Sequence, residues 1–120
     1  MKPGAHMLQR LVAGFCRIKG VQGATLLDAQ GFHVVGFANI ADFGQDTDNA
    51  ATCLHMAEAI AAEHNLGNVD QLWFESDNGV MVIANLAAGH TLLLSGDTTP
   101  NLGRLRHEVN KARPAFAELV

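Results

Sequence analysis

Gly20-Val-Gln-Gly-Ala-Thr-Leu-Leu-Asp-Ala-Gln-Gly31 is the stretch from which the fold can be read. Its apolar part, residues 24 to 28, runs into Asp28-Ala-Gln-Gly31, and a second apolar segment, residues 32 to 38, follows at once. An aspartate that can bond the turn backbone and a glycine free to take positive φ, set between two short apolar runs, predict a β-hairpin. Upstream, Leu8, Leu11, Val12, Phe15 and Ile18 recur at three- and four-residue steps. That is one buried helical face, placed over residues 5 to 19 and stopped by Gly20.

Downstream, Asp46, Thr47, Asp48 and Asn49 supply caps and first-turn acids for a central helix. It is expected from residue 48 to 66, with Gly67 as its terminator. This helix is apolar around most of its circumference, through Ala50, Cys53, Leu54, Met56, Ala57, Ile60 and Ala61. Such a helix is covered on more than one side, and so short a chain has little material to cover it twice. A homodimer is therefore expected, with Leu54, Ala57 and Ala61 at the two-fold axis.

Three strands follow over residues 69 to 76, 80 to 86 and 90 to 95, joined by Asp77-Asn-Gly79 and Ala87-Ala-Gly89 as an antiparallel meander. The last two are near-continuous apolar runs, which call for helices on both sheet faces. Thr99 and Pro100 are read as cap and first position of a final helix carrying Leu102, Leu105, Val109, Ala112, Phe116 and Leu119 on one stripe. Pro114 should kink or stop it. The order is α-β-β-α-β-β-β-α, an α+β class, with no linker or repeat, so residues 1–120 are expected to form a single domain.

The 120 residues carry a formal charge of −4, but the charges are segregated. Residues 1–19 hold Lys2, Arg10, Arg17 and Lys19 and no acid; residues 20–103 hold ten acids and no lysine or arginine. Arg104, Arg106, Lys111 and Arg113 then stand against Glu108 and Glu118. With 48% hydrophobic and 17% charged residues, disorder is excluded. Apolar runs fall far short of the ~20 residues that cross a bilayer, and the N-terminus shows no signal pattern. Cys16 and Cys53 read as buried thiols in a reducing compartment, so the expected location is the cytoplasm.

No GxxxxGK[ST] or GxGxxG motif is present, and no cofactor is expected. The six histidines include no pair at metal-ligand spacing; His55 and His64 lie nine apart. No metal site and no catalytic residue are expected, and the chain does not read as an enzyme. Alternation along residues 71 to 75 puts Gln71, Trp73 and Glu75 on one face, with Leu72 and Phe74 on the other. Trp73 is either a partner anchor or packed under a terminal helix or across a dimer. The basic end helices could suit nucleic acid or anionic lipid, but with no tyrosine they read as solvated faces, so neither nucleic-acid binding nor membrane insertion is expected.

In order and spacing, these residues resemble the roadblock / dynein light-chain family. The quoted stretch is similar to its Gly-Val-x-Gly-Ala opening and Asp-x-x-Gly turn, and Asn101-Leu-Gly-Arg-Leu-Arg106 is similar to the start of its last helix. The Ala-rich central helix and the Glu75-Ser-Asp-Asn-Gly79 turn also match, across essentially the whole chain. The resemblance implies a roadblock/longin-like, five-stranded antiparallel sheet with first and last helices on one face and the central helix on the other. It implies a homodimer joined through third strands and central helices, adding Gln71, Trp73 and Glu75 to the interface. It also implies a regulator or scaffold of a Ras-like small GTPase, docked on Asn49, Thr52, His55, Met56, Glu58 and Glu63 of the central helix. The alternative is a passive light-chain-type adaptor blind to the nucleotide state; a small-molecule sensor would need a polar-lined apolar pocket the sequence does not show.

Overall fold

A computed structural model describes residues 5–38 and 48–120; the capping residues Asp46 and Thr47 lie outside them. The elements are α1 (Ala5–Phe15), β1 (Val21–Leu27), β2 (His33–Ala38), α2 (Asp48–Glu63), β3 (Gln71–Ser76), β4 (Gly79–Asn85), β5 (Thr91–Gly96) and α3 (Leu102–Leu119). The expected order is present, with one turn of 3-10 helix, Ala87–Gly89, between β4 and β5. The strands form one antiparallel sheet in the order β2-β1-β5-β4-β3. None of the described helices is long and apolar enough to cross a membrane.

The hairpin that anchors this order closes as its residues dictate. Asp28 Oδ1 accepts from the backbone N–H groups of Gln30 and Phe32, each at 2.9 Å, and Gly31 takes φ +85°. β1 starts at Val21 rather than residue 24, because Val21 and Gly23 pair with Gly96 and Ser95 across a bulge. α1 ends at Phe15, four residues before the expected stop. Cys16, Arg17 and Ile18 donate to Ala13, Gly14 and Phe15 in tight three-residue turns that still bring Ile18 into the core.

Strand alternation divides the interior in two. Ala24 and Leu26, Val82 and Ala84, and Leu92 and Leu94 face α1 and α3, where Leu8, Val12, Phe15, Leu105, Val109 and Phe116 cover them. The rings of Phe15 and Phe116 stack with centroids 6.5 Å apart. The intervening Leu27, Ile83 and Leu93 face α2, against Ala50 and half-buried Cys53 and Leu54. The end helices thus share one sheet face, α2 takes the other, and the α2 side is the thinner layer.

Three expected helix boundaries are corrected. α3 is capped by Asn101, whose Oδ1 accepts from Arg104 N–H at 2.9 Å; the Thr99 N–H is instead spent on Asp97 Oδ1 at 2.7 Å. Pro114 does not end α3, which runs on to Leu119. Phe116, fully buried, and Leu119 and Val120, packed on the core, hold the last turn in place of the lost backbone bond. α2 ends at Glu63, and Asn65, not Gly67, is its left-handed terminator at φ 55°. Leu66 N–H reaches Ala61 C=O at 2.9 Å and Asn65 N–H reaches Ala62 C=O at 3.3 Å, the paired bonds of a Schellman end.

Candidate functional site

The side chains of α2 fall into two stripes. Ala50, Cys53, Leu54, Ala57 and Ala61 recur at helical steps, and each is buried or half-buried in the chain's own fold. The opposite stripe, Thr52, His55, Met56, Ala59, Ile60 and Glu63, is exposed. Met56 is 62% exposed and Ile60 56%, which leaves two large apolar side chains in water on a helix that already has its sheet contact. Phe74 and Met81, register partners on the same sheet face, are 44% and 38% exposed. Among the described residues β3 pairs only with β4, so it stands at the end of the sheet.

The sequence-derived set divides on this geometry. Asn49, Thr52, His55, Met56 and Glu63 are exposed on α2. Glu58 is half-buried, and its Oε1 accepts from Asn85 Nδ2 at 3.2 Å at the end of β4, so it does not point outward with the others. Of the residues placed at a two-fold axis, Leu54 and Ala61 are used by this chain's own packing, and Ala57 is half-buried on the same stripe. The outward apolar positions are Met56 and Ile60.

On β3, Glu75 is exposed, but Gln71 and Trp73 are engaged on the α3 face. Trp73 Nε1 donates to Gln71 Oε1 at 2.8 Å, Gln71 Nε2 donates to Asn110 Oδ1 at 3.2 Å, and the Arg106 guanidinium lies 5.4 Å from the indole centroid. Packing under a terminal helix therefore accounts for Trp73 within the chain.

Sequence reasoning missed a polar clasp beside this strand. Arg113 donates to the backbone carbonyls of Asn85 and Asp70 and, through Nε, to Asn110 Oδ1 at 3.1 Å. Asn85 Nδ2 reaches Val69 C=O as well as Glu58, both at 3.2 Å. One guanidinium thus ties α3 to the β4 end and to the segment entering β3, and Asn85 extends the tie to α2. The only local signal was Asn110 three residues before Arg113, because every other partner is distant in sequence.

Chemistry at this surface is limited. Among the described residues no group of three or more histidine, cysteine or acidic side chains could hold a metal ion. Cys16 and Cys53 are half-buried, and burial pushes the Cys16 thiol up, toward an unreactive neutral form. Segregated charge becomes geometry: exposed Arg10, Arg17, Lys19, Arg104, Arg106 and Lys111 belong to the end-helix segments, while α2 and all five strands carry no lysine or arginine.

No family model and no curated protein matches the sequence. Solved structures do match its fold. The MglB gliding protein from Thermus thermophilus superposes with a TM-score of 0.86 at 15% identity, over 99% of this chain and 92% of that one. MglB from Myxococcus xanthus gives 0.85 at 12% identity, over 98% and 90%. A Roadblock/LC7 domain from Streptomyces avermitilis gives 0.76 at 18% identity, over 90% and 96%. The fold is the roadblock/LC7 fold that the sequence resemblance implied.

Proposed function

We propose that residues 1–120 form a single roadblock-family domain that works in the cytoplasm as a non-enzymatic, homodimeric regulator or scaffold of a Ras-like small GTPase. The observation that carries this reading is the outward stripe of α2, with Met56 and Ile60 exposed on the sheet face whose end strand among the described residues is β3. A second copy would cover Met56 and Ile60 and continue the sheet through β3, where Glu75 lies exposed and Gln71 and Trp73 contribute backbone. The GTPase would meet the polar remainder of that stripe, Asn49, Thr52, His55 and Glu63. The likeness to MglB and Roadblock/LC7 structures supports the fold this reading needs, and the place in a small-GTPase system comes from the sequence resemblance.

The charge pattern restricts how such a regulator could act. With no lysine or arginine between residues 20 and 103, this surface cannot supply an arginine finger, which is worth ~10³-fold or more in hydrolysis. Activation would reposition the GTPase's own residues. Single-turnover hydrolysis by a purified Ras-like GTPase, loaded with GTP or GDP for parallel binding assays, tests this. Thr52→Arg with His55→Glu should abolish binding and stimulation, while Arg104→Ala with Lys111→Ala should leave both intact. Equal binding of the GTP and GDP forms would favour the passive adaptor instead, and collapse of stimulation in the α3 variant would refute the finger-free mechanism.

A further inference from the structure

We propose that the groove between α1 and α3, on the sheet face opposite α2, docks an acidic amphipathic helix of a partner protein. This inference is independent of what α2 meets. The groove encloses about 370 Å³. Its rims carry Arg10 and Arg17 on one side and Arg104 and Lys111 on the other. Arg104 and Lys111 are seven residues apart on α3, close to two helical turns or ~10 Å, so they line up along its rim, while Arg10 on α1 and Arg17 in the turn just after it stand on the other. Among the described residues none of these four side chains makes a hydrogen bond or ion pair. Glu108 is the one acid in the lining and stands between Arg104 and Lys111 on α3.

The floor is of opposite character. Leu11, Ala112 and Ala115 line it half-buried, with Phe15 and Ile18 beneath, and Gly14 leaves room for close approach. Four cations around a recessed apolar floor complement a helix with one apolar stripe flanked by carboxylates, its ridge lying in the groove between two helices. A bilayer or a nucleic-acid duplex would meet the charged rims but leave the recessed floor unfilled. The absence of any lysine or arginine from α2 and the strands also gives an acidic partner no competing site on the opposite face.

Fluorescence anisotropy with the full chain tests the proposal. The probes are labelled synthetic helices of about 18 residues, long enough to cover both cation pairs, with a leucine stripe flanked by glutamate in several registers. At least one should bind in the micromolar range, and raising salt from about 0.05 to about 0.5 M should weaken it roughly tenfold. Arg104→Glu with Lys111→Glu should abolish binding. Gly14→Gln should do the same by filling the floor, and it should fold, because a Cβ at Gly14 meets nothing within 4 Å. Failure of every register at about 100 µM, well above the micromolar range, would overturn the proposal. So would binding undiminished in both variants, self-association lost in Gly14→Gln, or phosphatidylglycerol vesicles captured in place of the peptides. Stimulated hydrolysis should be unchanged in both groove variants, so this test and the GTPase test fail separately.

Discussion

At Gly20 the backbone takes φ +89°, and a Cβ there would lie 2.6 Å from Pro100 Cδ and 2.8 Å from Asp97 Oδ1. The close approach seats the turn before α3 on the strand start, where Asp97 N–H donates to Gly20 C=O at 3.0 Å. Gly20→Ala should lower the unfolding free energy in urea by about 2 kcal/mol or more, from strain and clash together. Gly14→Ala is the contrasting case: it sits in an open helical position and should gain up to about 1 kcal/mol. A reversed order would refute the assigned backbone roles. Asp97 has its own signature. The Thr99 N–H, then the Thr99 hydroxyl, hold its carboxyl below the ordinary value of 3.8. Because the folded pKa is depressed, its stabilising effect is present above that ordinary value and is lost as pH falls through the lower folded one. Between about pH 5 and about pH 2.5 the wild type should therefore lose more stability than Asp97→Asn, read by urea denaturation at each pH.

Among the elements, α3 and α2 show opposite balances of local and tertiary forces. Pro114 removes a helical bond inside α3, and the helix survives because Phe116 is buried and Arg113 is clasped to the β4 end. Pro114→Ala should restore that bond and raise the unfolding free energy by about 1 kcal/mol, less than the full proline penalty because the surroundings already accommodate it. A loss of stability there would mean that proline is required by the packing. For α2, nearly continuous apolar character was legible, but its phase was not: Leu54 and Ala61 turn inward and Met56 and Ile60 outward. Both stripes have helical spacing, so periodicity alone could not say which one meets the sheet.

On the scale of the whole molecule, one sheet separates a basic face, α1 with α3, from α2, which has no lysine or arginine. The two layers are unequal: the α1/α3 side buries Leu, Val and Phe side chains from six elements, whereas the α2 side keeps Met56, Ile60, Phe74 and Met81 in water. Sedimentation equilibrium should therefore find a dimer at low micromolar concentration. Met56→Glu with Ile60→Glu should shift it to monomer without loss of helical content, since both side chains are exposed in the single chain. A wild-type monomer, or a dimer unaffected by the pair, would remove the role assigned to this face.

Element order, the Asp28–Gly31 turn, the covering of both sheet faces and the segregation of charge were all fixed by near-neighbour chemistry. Spacing, turn residues and apolar runs act over a few positions and can be read along a line. The stop of α2 at Asn65, the passage of α3 through Pro114, the inward turn of Glu58 and the Arg113 clasp depended on partners brought together only by folding. The basic groove belongs with them: the cations of the two end segments were visible along the chain, but the apolar floor exists only because α1 and α3 lie side by side on one sheet.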